Sequence, residues 1–576
     1  MTTPRIGVYV CNCGTNIAKT VDCDDLTERA GALPGVVCAR SYKYMCSNPG
    51  QEMIVKDIRD KSLNRVVVAA CSPRMHEQTF RRALEAAGMN PYLLQIANIR
   101  EQCSWVHDDR AAATDKAADL VHGATSRVVR HEVLERREAR YLPATLVLGG
   151  GVGGLTAAAE LALAGQTVYL VERADRLGGN VARVDLTAPY LDSARDVLEE
   201  KIRLVGASPH VRVMTGAVLE KLEGYVGNFF APVRTREGAM EELPVGSAIV
   251  CTGYREFDAA QVEKLGYGSL PNVITSFEFE AMVRSGSVLT AEGKPPGCVT
   301  IVHCVGSRHK RYHPYCSRVC CMTALKYGHE IKSVCPAATV VDAYVDMLAF
   351  GKGGEEFYRR TSELKTMFLM YQKEDYPNVR RAEPTDGCNL LVRVREMLSG
   401  ETIDVPTDLV ILMVGMEARE DAGRVARTVG ISQDREGWFI ESHPKLAPVS
   451  TTTDGVYIAG ACQAPKDIPD TVAQARAAAA SVLAHIARGK IEIDARYAEV
   501  DADHCSGCRV CNELCPFSAI EFDPVDRRSH VVSALCKACG TCAAACPSGA
   551  IQARHFTDAQ IFAEIEGVTS WASSQS

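Results

Sequence analysis

The sequence has no run of 18 or more uncharged apolar residues. No segment therefore reads as a transmembrane helix. Its first residues, MTTPRIGVYVCNCG, lack the basic, apolar and small-residue regions of an export signal. It has no long basic run and a net charge of −7, which argues against a nucleic-acid partner. No Ser/His/Asp arrangement and no catalytic carboxylate pair stands out. At 576 residues, roughly three or four domains are expected. What the chain has in excess is cysteine, 24 in all. The spacings are those of metal sites rather than of a disulfide framework. The expectation is a reducing cytoplasm, with thiolates held on iron.

Residues 505–516 read CSGCRVCNELCP and residues 536–547 read CKACGTCAAACP. Each is C-x2-C-x2-C-x3-C-P, the spacing of the bacterial two-cluster ferredoxin. The fourth cysteine of each run crosses to the other cluster. Cys505, Cys508, Cys511 and Cys546 are thus expected on one [4Fe–4S] cluster, and Cys536, Cys539, Cys542 and Cys515 on the other. Two zinc knuckles are the bland alternative, but zinc needs only C-x2-C pairs and often His.

Residues 145–172 read TLVLGGGVGGLTAAAELALAGQTVYLVE. An apolar strand runs into Gly149, Gly151 and Gly154, a helix follows, and a second strand ends in Glu172. Glycines let the backbone approach a pyrophosphate at a helix N-terminus, and the acid sits where a ribose hydroxyl is bound. Val152, Gly153 and Arg173 belong to the same candidate site. Gly178, Gly179 and Asn180 in RLGGN, Thr252 and Gly253 in AIVCTG, and Gly460, Ala461, Thr471 and Ala473 in the 451–479 stretch extend it. That is the pattern of two-dinucleotide flavoproteins, and it favours FAD over NAD.

Such a fold repeats the glycine fingerprint later in the chain, for NAD(P)H. Here that position reads CVTIVHCVGSRHKRYHPYCSRVCC. The strand survives and the glycine loop does not. Cys304, Cys316, Cys320 and Cys321 stand in its place, with no C-x-x-C dithiol, which argues against thiol–disulfide exchange. A third [4Fe–4S] cluster is expected there, the alternative being buried packing cysteines. His303, His309 and His313 flank this set and read as capping or surface residues.

Residues 1–140 alternate short strands with helices, an α/β pattern. Cys11, Cys13, Cys46, Cys71 and Cys103 follow or flank strands whose C-terminal ends meet on one edge of a parallel sheet. Five candidates compete for the four places of a fourth cluster; Cys11, Cys13, Cys46 and Cys71 are the chosen set, with Cys103 able to replace one. Cys23, Cys38, Cys251, Cys298, Cys335, Cys388 and Cys462 have no such company and read as packing residues. The expected organisation is an iron–sulfur α/β domain at 1–140, an FAD-binding α/β region with the central cluster at 141–490, and a ferredoxin domain with its tail at 491–576.

VYVCNCGTNI, YKYMCSNPGQE, RVVVAACSPRMHEQTFRRALEAAG, LGGGVGGLTAA, HCVGSR, PYCSRVCC, DMLAFGKGGEEFYRR and IAGACQAPKDIPDTVAQA together resemble the family of heterodisulfide reductase A-type subunits, iron–sulfur flavoproteins, in a form without the family's inserted ferredoxin domain. Residues 200–245, which hold no cysteine, mark that absence. The resemblance implies one FAD, about four [4Fe–4S] clusters, a thioredoxin-reductase-like domain without a nicotinamide site, and a homodimeric core. It implies heterodisulfide-reductase-like B and C subunits, a hydrogenase, NADH or formate donor module, and ferredoxin as partners. It also implies flavin-based electron bifurcation or confurcation. Lys326, five residues after Cys321, matches a lysine that the family places near flavin N5, where a cation favours the reduced, anionic ring. The alternatives are a non-bifurcating relay, a stand-alone NAD(P)H-dependent flavin oxidoreductase and an assembly scaffold.

Overall fold

The computed structural model describes residues 3–383 and 387–574. The chain divides into two compact units: the residues up to Glu138 together with those from Glu492 onward, and Ala139–Ile491 between them.

In the first unit, β1 (Ile6–Cys11), β2 (Val36–Tyr42), β3 (Arg65–Ala70) and β4 (Leu94–Asn98) form a parallel sheet in the order β2-β1-β3-β4. All six residues of β1 are buried, as expected for an inner strand covered by helices on both faces. Parallel direction brings the C-terminal ends of these strands to one edge, and two cysteines with them: Cys11 closes β1 and Cys71 follows β3. The C-terminal segment of this unit carries two short helices, Val510–Leu514 and Thr541–Ala545, and the hairpin Ile520–Asp523/Arg528–Val531. The helix Asp558–Ser574 then packs along α1 (Arg110–Val128). Glycine makes this contact close. A Cβ on Gly567 would lie 2.9 Å from Gly123 Cα, and one on Gly123 would lie 2.7 Å from Val568 Cγ2. Arg127 clamps the contact, with Nη1 2.6 Å from Glu564 Oε2 and Nη2 donating to the His555 carbonyl at 2.7 Å.

The two large sheets of the second unit are built, in chain order, from β5 (Ala144–Leu148), β6 (Thr167–Glu172), β7 (Val211–Thr215), β8 (Ser247–Val250), β9 (Val273–Thr275), β10 (Cys298–Val305), β11 (Thr339–Tyr344), β12 (Met367–Met370), β13 (Leu409–Val414) and β14 (Val456–Ile458). They form two five-stranded sheets, ordered β7-β6-β5-β8-β14 and β9-β13-β10-β11-β12, parallel throughout. Each half carries a small antiparallel sheet, built on Asn228–Arg234 and on Leu390–Arg395. Two doubled α/β halves, the second inserted in the first, are the architecture of two-dinucleotide flavoproteins. Residues 200–245 are filled by the end of a helix, β7 and the first antiparallel sheet. Three helices of this unit approach the ends of its strands: α2 (Val152–Leu163), α3 (Cys320–Val334) and α4 (Ile468–Arg488). Among the described residues no helix is long and apolar enough to cross a membrane.

Candidate functional site

β5 delivers the chain into a glycine turn that only glycine can make. Gly149 has φ +103°, and a Cβ there would lie 2.4 Å from the Cys251 carbonyl oxygen. A Cβ on Gly154 would lie 1.8 Å from the Gly149 carbonyl oxygen, so Gly154 is a packing position that lets α2 press on the turn. Gly151 differs. A Cβ there meets nothing nearer than Gly179 Cα at 3.9 Å, and its N-cap position on α2 has no side-chain cap. Free N–H groups of the first helical turn thus face open space, which suits an anion. Glu172 at the end of β6 braces the turn by accepting from Gly150 N at 2.6 Å and Ala174 N at 2.7 Å.

The turn opens onto a cavity of about 1040 Å3. Gly149, Gly151, Val152, Gly153, Glu172, Arg173, Gly178, Gly179, Asn180, Thr252, Gly253, Gly460, Ala461 and Thr471 are all on its wall. Gly154 and Ala473 are not. Gly154 is consumed by packing. Ala473 is exposed, because two residues beyond Thr471 a helix has turned through about 200°. The first turn of α4 also lines the cavity. Lys466 and Glu280 are wall residues that sequence reasoning missed. Lys466 lies within the 451–479 stretch, and burial holds its ammonium below the usual lysine range. Glu280, far from any motif, gave no signal.

Lys326 lies on the same wall, almost fully buried on α3. Its Nζ is 2.5 Å from Glu280 Oε1, 3.1 Å from the Leu186 carbonyl and 3.4 Å from Glu330 Oε1. Burial pushes Glu330 up to about 8, against the pull of Lys326. Near neutral pH the Glu330 side chain is therefore mostly the neutral acid.

The central cysteines meet at the end of β10. The register against β13 shifts between Val302 and Val305, and Cys304 has φ +56°, a left-handed backbone that re-aims the residue. Cys320 and Cys321 open α3, and Cys316 lies in the loop before it. Burial pushes the Cys304 thiol up to about 12, with Cys321 and Cys316 adding to the effect. Burial and the same neighbours push Cys320 well above the usual thiol range. Three buried thiolates crowded beside the part-exposed Cys316 are costly on their own, and iron cations are what would offset them. Cys320 is also on the wall of the dinucleotide cavity. Among the described residues no three His, Cys, Asp or Glu side chains close round a single metal ion. A cubane asks for something else, one thiolate on each of four separate irons.

At the N-terminal sheet edge the structure brings four of the five candidates within one another's field. Burial pushes Cys11 up, with Cys13 and Cys46 adding. Burial takes Cys71 to about 11, with Arg100 opposing and Cys11 and Cys13 adding. Cys13, at φ +47°, accepts from Arg100 Nη1 at 3.6 Å. Cys103 is turned away and donates to the Ala113 carbonyl of α1 at 3.0 Å. In the C-terminal segment Cys515, Cys536, Cys539 and Cys542 line one small cavity, the grouping in which the fourth cysteine crosses over. Cys511 is buried in the same apolar cluster that Cys515, Cys536 and Cys546 pack against, while Cys508 is exposed and Cys505 half-buried.

Residues 147–197 match the NAD(P)-binding Rossmann-like domain and residues 498–547 the 4Fe-4S dicluster domain. The chain is 38% identical to an iron-sulfur A-type subunit of the CoB--CoM heterodisulfide reductase of Methanopyrus kandleri, covering 98% of this chain and 97% of that one. It is 39% identical to the A-type subunit of the H(2):CoB-CoM heterodisulfide,ferredoxin reductase of Methanothermobacter thermautotrophicus, with the same coverage. Among solved structures, a thioredoxin reductase of T. acidophilum aligns with 60% of this chain and all of its own at 17% identity and a TM-score of 0.41. The alignment with the Methanopyrus protein runs over 656 positions, so at least 80 have no counterpart in this shorter chain. With a dinucleotide-binding Rossmann domain, a 4Fe–4S dicluster domain and end-to-end similarity to these proteins, the chain belongs to the family of heterodisulfide reductase A-type subunits and is an electron-transferring oxidoreductase subunit.

Proposed function

We propose that the chain binds one FAD and four [4Fe–4S] clusters and passes electrons among them inside a heterodisulfide-reductase-like complex. The observation that carries this reading is Cys320. It belongs to the central thiol set and also forms part of the cavity wall that begins at the glycine turn. A flavin held there would have an iron–sulfur centre as its immediate neighbour, in the half of the fold where a nicotinamide site would otherwise lie.

Bound FAD supplies the exchange between two-electron and one-electron chemistry. The rest is the work of this chain's residues. The first turn of α2 and Gly151 receive the pyrophosphate, and Glu172 offers its remaining lone pairs to a ribose hydroxyl. Lys326 holds positive charge on the cavity wall, kept in place by Glu280 and Glu330. Cys304, Cys316, Cys320 and Cys321 hold the central cluster. Cys11, Cys13, Cys46 and Cys71 hold the N-terminal one, and the eight C-terminal cysteines hold two more. Segments 1–140, 141–490 and 491–576 carry these sites in turn. Subunits of B and C type, a hydrogenase, NADH or formate module and ferredoxin are the proposed partners of a homodimeric core. Bifurcation or confurcation is the proposed activity. A relay that does not split electron pairs is the second reading, favoured by the 80 or more positions that relatives have and this chain lacks.

Anaerobic analysis should give about 16 irons and one FAD per chain, on four cubanes. A value near eight would remove the central and N-terminal assignments. Cys320→Ser should lose about four irons and keep FAD, and transfer from photoreduced flavin to the C-terminal clusters should slow sharply. Unchanged iron and unchanged kinetics would make these packing cysteines. Purification of the native complex decides between splitting and relay by showing which donor and acceptors travel with it.

A further inference from the structure

Two loops meet over the Lys326 end of the cavity. One is the tip of a hairpin in which Leu186–Thr187 pairs antiparallel with Asp192–Ser193. Its root is fixed where Lys326 Nζ donates to the Leu186 carbonyl at 3.1 Å, and its tip carries Pro189 and Tyr190. The other is the connection from β11 to the helix Gly354–Glu363. Phe350, Gly351 and Lys352 of this strap lie on the cavity wall, as do Pro189 and Tyr190. Tyr190 is 60% exposed and Phe350 is 53% exposed. Side chains that belong to the wall and also face solvent stand at the mouth of the cavity. There the two loops touch. A Cβ on Gly353 would lie 3.1 Å from Tyr190 Oη and 3.3 Å from Pro189 Cγ. Arg360, on the helix behind the strap, donates to the Pro189 carbonyl at 3.0 Å.

The strap is tied at two points and free between them. At its root Asp346 pairs with Arg308. Further on, the Arg318 guanidinium carbon lies 5.4 Å from the centroid of the Phe350 ring, and its Nη2 lies 2.6 Å from Asp470 Oδ2 in the first turn of α4. Gly351, next to Phe350, has φ +88°, is exposed, and would meet nothing within 4 Å of a Cβ. Gly353 follows at φ +81°. The strap can therefore turn about two glycines at little cost, as the hinges of closing loops do. We propose that strap 346–353 and hairpin tip 188–191 form a gate over the Lys326 end of the cavity, latched by Arg318 on Phe350, through which the cofactor enters and leaves. The proposal rests on the reading that this cavity takes FAD. The gate shares no residue with the glycine turn, so it governs the rate of passage and not the anion contact. Opening breaks the latch, whether the cavity is filled or not. Removing the latch thus lowers the barrier to entry and to exit alike and leaves affinity almost unchanged. A side chain that merely touched the bound cofactor would act on exit alone.

The test uses the full-length protein, loaded with iron and with radiolabelled FAD. A chase with unlabelled FAD gives the release rate, equilibrium dialysis gives Kd, and the two together give the entry rate. Phe350→Ala should release FAD about fivefold faster, the worth of an exposed cation–π pair, with entry quickened to match and Kd essentially unchanged. Phe350→Tyr keeps a ring under Arg318 and should exchange at the wild-type rate. Unchanged release in Phe350→Ala overturns the proposal. So does faster release with entry unchanged, which would make Phe350 a contact of the cofactor and no latch. Exchange in Phe350→Tyr as fast as in Phe350→Ala also overturns it. If Phe350→Ala does not fold, Tyr190→Ala on the opposite loop is read in its place: faster entry and exit support the gate, and any other pattern sinks it. Wild-type protein that binds no FAD removes the cofactor reading itself, and the gate with it.

Discussion

Protonating two buried histidines should open the first unit. His131 and His555 lie with ring centroids 4.2 Å apart beneath the contact of α1 with the C-terminal helix, and Tyr92 meets His555 edge-on. Burial holds both imidazoles below their usual range, His131 to about 2 and His555 to about 4. Mutual repulsion and Arg127 and Arg65 push His131 further down; Arg496, Arg81 and Arg127 do so for His555. A histidine whose folded pKa is depressed contributes stability above its unfolded pKa, near 6.5, and loses it as pH falls. Between pH 7 and pH 5 the folded pair stays almost wholly neutral while the unfolded pair takes up about one and a half protons. That costs about 2 kcal/mol per imidazole and about 4 kcal/mol for the pair. Amide exchange in the helix Asp558–Ser574, corrected for intrinsic chemistry, reads the local opening equilibrium. The opening constant should rise by roughly a thousandfold from pH 7 to pH 5, and by only roughly thirtyfold in His555→Phe. Flat protection across that range, or the wild-type slope in His555→Phe, would refute the reasoning.

Gly151→Asp should abolish FAD binding and leave cluster spectra intact, since the carboxylate projects into the anion site without touching protein; stoichiometric FAD in the variant would place the nucleotide elsewhere. Gly154→Ala should instead destabilise the whole second unit, because its Cβ cannot coexist with the Gly149 carbonyl, and thermal unfolding should show this even without flavin. Cys71→Ser should lose about four irons, one cubane's worth, and Cys103→Ser none; iron loss in the second variant would return Cys103 to the ligand set. Lys326→Met should destabilise the protein by about 3–5 kcal/mol, the usual penalty for stripping one partner from a buried ion pair, and denaturant midpoints would show whether Glu280 tolerates the loss.

The α/β class and the cysteine-rich C-terminal segment were legible because their signals are local: strand–turn–helix around Gly149, and two cysteine runs of identical spacing. The N-terminal thiols needed a tertiary premise, that parallel strands end on one edge. Even with it, spacing could not choose among five residues, because it does not say which way a side chain turns. Only the path of the 100–104 turn shows Cys103 facing α1 rather than Cys13. The glycine fingerprint likewise mixes two jobs, and nothing in the letters separates Gly151, which faces the cavity, from Gly154, which packs. Ala473 fails on helical phase. The Lys326–Glu330 spacing of i, i+4 was readable, but Glu280 joins from another element. His303 read as a capping or surface residue, yet it is fully buried beside Asp342, because no sequence pattern announces a buried carboxylate on the next strand.

The first unit is interrupted by the second. Arg127 and Glu564, which clamp α1 to the last helix, stand 437 residues apart in the chain. A ribosome must therefore release the whole flavin-binding region before the opening 138 residues can be covered. Until then Gly123 and the apolar side of α1 face the solvent, open to chaperones and to aggregation. Assembly consequently has an imposed order, with the N-terminal sheet finished last although it is made first. A chain cut short before the last helix would keep its glycine turn and lose the closure of the unit that carries twelve of the sixteen proposed cluster cysteines.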